Sequence, residues 1–278
     1  MISVYGGNGF IGSKFCKLNA NDVIKIDRDS REPKSDNVLY FISTIDNYNV
    51  FDNLQIDIDT NLKVLMEVLN HCKDKNITFN FVSSWFVYGK TDKLPANEND
   101  YCNPKGFYSI TKRTAEQMLI SFCETFGVNY RIFRLANVYG EGDLTVSNKK
   151  NALQYLINEI VDGNDINLYD GGMHIRDFIY VDDVCDAIKL CMDKADMNDI
   201  INIGSGKPNQ FLDLMEYCKE QIDSKSKLIT VRPTKFHDIV QVKDMYLDTT
   251  KLKNLGFKQK VKIEDGLDKI IKKYRSNR

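Results

Sequence analysis

A glycine-spaced turn near the start of the chain constrains the fold more than any other feature. Gly6, Gly9 and Gly12 follow a short apolar stretch and open an apolar helix at Phe10 and Ile11. Glycine is needed where the backbone turns tightly and approaches a pyrophosphate, and the last glycine lets the helix pack on the strand. The N–H groups and positive dipole end of the helix then face the phosphates. These five residues predict a dinucleotide-binding site.

An acidic residue lies at the expected distance from this turn. Asp27 ends the apolar run of residues 23–26. A carboxylate there can accept both ribose hydroxyls of an adenosine and would repel a 2′-phosphate, which favours NAD over NADP. Arg28 could instead pair with that phosphate, so NADP stays open as the alternative. Both residues are candidate cofactor contacts.

Strand and helix patterns alternate along the chain. Short β-rich runs separated by helices predict an α/β fold with a Rossmann-type doubly wound parallel sheet covered on both faces. The candidate strands are residues 2–5, 22–26, 38–43, 78–83, 129–134 and 200–203, and the candidate helices lie near 10–18, 60–73, 108–126 and 181–194. A full crossover needs more residues than separate Asp27 from Asn37, so a loop is expected to replace one helix there.

The remaining segments carry shorter elements and predict a second, smaller α/β lobe. We expect residues 1–140 and 176–204 to form the NAD(P)-binding domain. Residues 141–175 and 205–278 are expected to form a substrate-binding lobe built from two separated pieces.

Composition narrows the class of protein. The 278 residues include 42% hydrophobic and 28% charged residues, which is typical of a globular chain, and the net charge of −1 gives no field to attract nucleic acid or an anionic membrane. The sequence shows no charged-then-apolar leader and no apolar run of about 18 residues, so neither export nor a membrane span is expected. Seven scattered cysteines fit reduced thiols in the cytoplasm, and three histidines without ligand spacing predict no metal site.

A tyrosine and a lysine four residues apart supply proton-transfer chemistry. Tyr108 and Lys112 share one face of a helix. An ammonium near a phenol favours the phenolate, so we expect the pKa of Tyr108 to fall below its free value of about 10. That shift suits a general acid/base, and the lysine can also hold the nicotinamide ribose.

A hydroxyl pair at the end of a buried strand is the expected partner. Ser83 and Ser84 end the run of residues 78–84, and ligands bind at the carboxyl ends of such strands. A serine there can hydrogen-bond the reacting oxygen. Ser84 is the candidate, with Ser83 as the structural alternative.

In order and spacing, these three motifs give the chain a family resemblance. The glycine turn, the segment Ser-Ser-Trp-Phe-Val-Tyr-Gly at residues 83–89 and the pair Tyr108 and Lys112 resemble the extended short-chain dehydrogenase/reductase family, the NAD-dependent epimerases/dehydratases. The resemblance covers nearly the whole chain. It implies an enzyme that acts on nucleotide-linked sugars, with Tyr108 as the acid/base, Lys112 as its activator and Ser84 as the oxygen-binding hydroxyl.

The resemblance also implies substrate and cofactor contacts. Asn137 and Arg176 match family positions that contact the substrate diphosphate, and Lys235 lies roughly where relatives place another phosphate-binding residue. Trp85 beside the candidate hydroxyl is expected to contact substrate, and Ser43 after the third strand to contact the cofactor.

One departure from the family bears on the reaction. The family's 4,6-dehydratases carry an Asp-Glu pair directly after the hydroxyl residue, where this chain has Trp85 and Phe86. Neither ring can donate or abstract the proton that water elimination needs, so dehydration is not expected.

Two main functions remain. The first is a nucleotide-sugar epimerase, at C4 by resemblance, in which a transient keto sugar forms and bound NAD takes and returns a hydride. The second is an NAD(P)-dependent nucleotide-sugar 4-reductase or dehydrogenase, and a non-catalytic dinucleotide sensor is a third reading. The helices near 60–73 and 108–126 are candidates for a homodimer interface, as the family suggests.

Overall fold

A computed structural model describes residues 1–276 of the chain except positions 46, 145 and 148. The predicted strands and helices are all present, with ends that differ by a few residues. The strands are β1 Ile2–Tyr5, β2 Val23–Lys25, β3 Asn37–Tyr40, β4 Thr78–Ser84, β5 Asn129–Leu135, β6 Asn137–Tyr139, β7 Ile166–Tyr169, β8 Ile175–Arg176, β9 Phe178–Tyr180, β10 Asp199–Ile203, β11 Asn209–Gln210 and β12 Leu228–Val231. The helices are α1 Phe10–Leu18, α2 Ile56–Ile58, α3 Val64–Asn70, α4 Phe107–Phe126, α5 Ala152–Val161, α6 Val181–Lys194, α7 Phe211–Ile222, α8 Lys235–Val240, α9 Thr250–Asn254 and α10 Ile263–Ser276.

Six strands form one parallel sheet in the order β10-β5-β4-β3-β1-β2. The strand order reverses at β1, which is where open α/β sheets bind ligands. The predicted fold class, a doubly wound α/β sheet, is confirmed.

Apolar side chains cover both faces of the sheet, because neighbouring residues of a strand point to opposite sides. On one face Val4 packs in a cluster with Phe15 of α1 and Ile188 of α6. On the other face Tyr5 lies in a cluster with Leu65 of α3 and Leu119 of α4. The helices predicted from periodicity therefore form the two outer layers.

The expected short connection between β2 and β3 is present. Residues 26–36 contain neither a helix nor a strand, and they cross β1 directly, because both flanking strands pair with β1. Side chains of β1 hold the loop: the Tyr5 hydroxyl donates to the carbonyl of Arg31 at 2.7 Å, and the Ser3 hydroxyl accepts from the N–H of Lys34 at 2.8 Å. Polar contacts here replace a packed helix.

A third apolar cluster forms the core of the smaller lobe. Helices α5, α7 and α10 pack around it, and β7 pairs with β12 beside them. Phe178, Tyr180 and Val181 also belong to this cluster, although they lie in the segment predicted for the larger domain. The predicted boundaries stay a prediction, and residues 178–181 link the two cores.

Helix α4 is fixed to β5 by a buried ion pair. The guanidinium of Arg134 donates to both carboxylate oxygens of Glu116, at 3.0 and 2.8 Å, and both side chains are almost fully buried. Arg113 donates a further hydrogen bond to Glu116 at 2.8 Å. Burial acts to raise the pKa of the Glu116 carboxyl, but the Arg134 hydrogen bonds hold it below its usual range.

Candidate active site

A large cleft opens at the carboxyl ends of the sheet strands, between the sheet and the smaller lobe. Its volume is about 1340 Å³. One wall carries the glycine turn, the ends of β4 and β5, and the first turns of α4. The other carries His174 and Arg176, at β8, and His237 of α8. Most of the predicted site residues line this one cleft.

The glycine turn has the shape that a dinucleotide phosphate requires. Gly6 has a left-handed φ of +75°, and a Cβ at Gly12 would clash with the carbonyl of Gly6. Gly9 begins helix α1 without a side-chain cap, so the N–H groups at Phe10 and Ile11 have no capping side chain. All five residues line the cleft, and the turn fits a pyrophosphate of NAD at the helix N-terminus.

The remaining cofactor candidates divide into two sets. Ser43 lines the cleft and donates to the Asn61 side chain at 3.0 Å. Asp27 and Arg28 are exposed at the end of β2 and lie outside the lining of the cleft. Their contact with the adenosine ribose stays a prediction.

Asn61 is a structural centre of the site. It lies in a π-helical turn, Asp59–Lys63, between α2 and α3. Its side-chain oxygen accepts from the N–H of Thr44 at 2.8 Å, and its amide donates to the Thr111 hydroxyl at 2.9 Å. It therefore joins the segment after β3 to helix α4, the helix of the proton-transfer pair.

Tyr108 and Lys112 occupy the first turns of α4, side by side in the cleft lining. The Lys112 ammonium is buried, donates to the carbonyl of Val82 at 2.7 Å and lies 4.2 Å from the centre of the Phe81 ring. Burial lowers the pKa of Lys112 to about 7, although the nearby Glu116 acts to raise it. The Tyr108 ring meets the edge of Phe86, with centroids 6.0 Å apart.

Ser84 ends β4 and begins a short 3₁₀ helix, Trp85–Val87. Its hydroxyl oxygen accepts from the N–H of Phe86 at 3.3 Å. Ser83, the alternative, also lines the cleft, and Trp85 and Phe86 stack on each other with ring centroids 3.9 Å apart. Ser84, Trp85 and Phe86 therefore line the same cleft as Tyr108, and the role of Ser84 stays a prediction.

The predicted diphosphate residues come from the segments around β6 and β8. The Asn137 amide donates to the carbonyl of Asp177 at 2.9 Å, which fixes its orientation. Arg176 is buried and donates through Nη1 to the carbonyls of Ile175 and Lys243, at 2.8 and 2.5 Å. Both side chains line the cleft.

One predicted substrate residue lies elsewhere. Lys235 is exposed at the start of α8 and is outside the cleft lining, whereas Lys149 and Lys150 belong to it. These two lysines fall in a segment without strand or helix periodicity, so no sequence pattern pointed to them.

Two histidines in the cleft lining, His174 and His237, have no role predicted from the sequence. The Tyr48 hydroxyl lies 3.3 Å from Nδ1 of His237, across 189 positions of sequence. His174 stacks on Phe211 with centroids 4.9 Å apart, and burial lowers its pKa to about 3. Only the proximity of His174 to the Arg176 motif could have pointed to the cleft. The residues that the structure describes include no group of three or more His, Cys, Asp or Glu that could hold a metal ion.

Comparison with known proteins matches this geometry to one family. Residues 35–204 match the NAD dependent epimerase/dehydratase family. The chain belongs to that family. Membership confirms the family resemblance, NAD as the cofactor and an NAD-dependent enzyme as the class.

Several known proteins of similar sequence or structure align with this chain over its whole length. A protein of Methanocaldococcus jannaschii described as "Putative UDP-glucose 4-epimerase" is 27% identical over 309 residues, covering 100% of this chain and 99% of the relative. The crystal structure of UDP-glucose 4-epimerase from Thermotoga maritima with UDP-glucose has a TM-score of 0.88 at 26% identity and 99% coverage of both chains. UDP-glucuronic acid 4-epimerase from Bacillus cereus, in complex with UDP-glucuronic acid and NAD, has a TM-score of 0.87 at 19% identity, with 100% of this chain and 99% of that chain covered, and shares the fold.

Replacing Lys112 by Met should stabilise the nucleotide-free protein at low pH. The pKa of about 7 in the folded state lies below the unfolded value of about 10.4, so between these values the unfolded state binds more protons and the unfolding free energy rises with pH. The advantage of Lys112→Met should therefore shrink by about 2–4 kcal/mol between pH 6 and pH 9.5, since one pKa unit is about 1.4 kcal/mol. Urea unfolding at both pH values measures it. The exposed Lys17→Met is the control, and an advantage independent of pH would contradict the assignment.

Tyr108→Phe should keep the fold and NAD binding but lower turnover about a hundredfold or more, because a positioned acid/base contributes roughly 10²–10⁴-fold. Steady-state kinetics and calorimetric NAD titration measure the two effects. Tyr101→Phe, on a ring that is 82% exposed, is the matched control. Full activity of Tyr108→Phe would mean that another group moves the proton.

Proposed function

We propose that this protein is a nucleotide-sugar 4-epimerase that acts on UDP-sugars. The observation that carries the proposal is the convergence of Tyr108, Ser84 and the glycine turn on one cleft that Arg176 and Asn137 also line. This arrangement suits a ligand with a neutral ring at one end and a diphosphate at the other. The end-to-end similarity to UDP-glucose 4-epimerase of Thermotoga maritima supports the nucleotide.

The residues of the chain divide the reaction between them. When bound, NAD supplies the hydride acceptor and donor for the sugar carbinol carbon. The Tyr108 phenolate removes the hydroxyl proton as a keto sugar forms, and the resulting phenol returns that proton when the hydride comes back to the other face of the turned ring. The Ser84 hydroxyl donates to the reacting oxygen, and the protonated Lys112 favours the phenolate. Arg176 and the Asn137 amide hold the diphosphate.

The aromatic pair after Ser84 favours epimerisation over dehydration. Trp85 and Phe86 place two apolar rings where a dehydratase needs an acid and a base. Neither ring can remove a proton at C5 of a keto sugar bound against them. Return of the hydride to the keto sugar is therefore the expected next step.

Cofactor balance tests the proposal. Purified protein with a catalytic amount of NAD should convert UDP-glucose into its C4 epimer, detected by proton NMR, with no net change in the absorbance of the reduced nicotinamide. Parallel incubations with UDP-galactose, UDP-N-acetylglucosamine and UDP-glucuronic acid identify the sugar. Stoichiometric loss or gain of reduced cofactor would assign the protein to the reductases or dehydrogenases instead.

We also infer that the enzyme is a homodimer. A shallow surface groove between α3 and α4 is lined by Met66, Met118 and Phe122, and Met118 is 37% exposed. Two copies can cover these side chains by packing their helix pairs together. Multi-angle light scattering at micromolar concentration should give twice the chain mass, and Met118→Asp should shift it toward the monomer. A monomeric wild type would contradict the inference.

The cytoplasm is the proposed location. All seven cysteines are free thiols, and six of them are buried. No helix within the described part of the chain is both long and apolar enough to cross a bilayer.

A further inference from the structure

Four side chains in the lining of the cleft form a continuous stack. The Arg176 guanidinium lies 5.5 Å from the centre of the Trp85 ring. Trp85 stacks on Phe86 at 3.9 Å with the ring planes 24° apart, and the edge of Phe86 meets Tyr108 at 6.0 Å. The stack thus runs from Arg176, the proposed diphosphate-binding arginine, to Tyr108 of the proton-transfer pair.

The charge of Arg176 is held without a carboxylate partner. Its hydrogen bonds run from Nη1 to two backbone carbonyls, and among the described residues it forms no ion pair. Asp244, an acidic side chain that favours the charged form of Arg176, accepts instead from the N–H of Ile175 at 2.8 Å. A buried guanidinium without a carboxylate keeps its charge for an anion, and the aromatic face beside it restrains its plane.

Trp85 is placed to provide that restraint. It is only 3% exposed and directly follows Ser84, so its ring position is tied to the end of β4 through the main chain. It has no group that can transfer a proton to a sugar. Its ring contacts the guanidinium on one side of the stack and Phe86 on the other.

We propose that Trp85 is a positioning residue that holds the Arg176 guanidinium for the substrate diphosphate and, through Phe86, ties its position to that of Tyr108. This rests on the proposed function only in that the cleft takes a nucleoside diphosphate. The stack sets the separation between the anion-binding group and the reacting hydroxyl. Loss of the Trp85 ring weakens diphosphate binding even though the ring touches no phosphate in this role.

Binding of UDP to the NAD-loaded enzyme, measured by calorimetry, tests the proposal without turnover. Trp85→Leu should weaken UDP binding about tenfold, because a desolvated cation–π contact is lost. Trp85→Phe keeps an aromatic face and should stay within about threefold of the wild type. Phe257→Leu, at a partly buried ring outside the cleft, is the matched control for loss of an aromatic side chain and should leave UDP binding unchanged.

A double-mutant cycle separates positioning from general support of the fold. In the Arg176→Met background, Trp85→Leu should cause little further loss of UDP affinity, because the group that Trp85 positions is already gone. Additive losses would overturn the proposal, as would a Trp85→Phe variant as weak as Trp85→Leu. Trp85 is also the only tryptophan of the chain, so saturating UDP should change the intrinsic fluorescence of the wild type. An unchanged spectrum would count equally against the proposal.

Failure of the two proposals can be told apart. If no UDP-sugar is epimerised but the calorimetric cycle is non-additive, the epimerase assignment falls and the role of Trp85 stands. If a UDP-sugar is epimerised but the losses of UDP affinity add, the epimerase assignment stands and the role of Trp85 falls. If the wild type binds none of UDP, dTDP, ADP and GDP at millimolar concentration, the role of Trp85 is wrong.

Discussion

The buried pair of Glu116 and Arg134 is the interaction on which the site depends. Glu116 lies one turn after Lys112 and two turns after Tyr108 on the same helix, so anchoring it to β5 also fixes both groups relative to the sheet. Arg134 in addition donates to the carbonyl of Glu98 at 3.1 Å and lies over the Tyr88 ring, which ties the segment before α4 to the same point. Removing one partner of such a pair costs about 3–5 kcal/mol, because the other charge is left buried and unpaired.

A second anchor acts from the other side of the helix. Asn61 joins Thr111 to the backbone of Thr44, so it links the segment that follows β3 to the helix of the proton-transfer pair. Between these anchors the buried ammonium of Lys112 opposes folding at neutral pH. The site keeps a destabilising charge where the chemistry needs it, and the hydrogen-bonded neighbours offset that cost.

Local patterns in the sequence were enough to predict the sheet and its helices, and they also led to the candidate residues that line the cleft. The glycine turn, the serine after β4 and the pair Tyr108 and Lys112 each owe their place to a strand end or a helix face, which short spacings reveal. The strands of the smaller lobe were not predicted, because they have only two to four residues. Such strands are too short to show a clear alternation of apolar and polar residues. The position of His237 in the cleft was not predicted, because its neighbour there, Tyr48, lies 189 positions away in the sequence. The substrate contact of Lys235 was predicted from the family resemblance alone. In the structure this lysine lies at the exposed start of α8, outside the cleft lining.

The trimmed crossover leaves β2 as an outer strand of the sheet, and such strands invite association with other chains. Here the outer strand has only three residues and leads into the charged residues Asp27 and Arg28, so it offers little backbone for pairing. At the opposite border, β10 has its outward groups occupied: the N–H of Asn202 donates to Glu98 at 2.9 Å, and the carbonyl of Ile200 accepts from Lys251 at 3.1 Å. Both borders therefore offer little free backbone for the addition of a further strand.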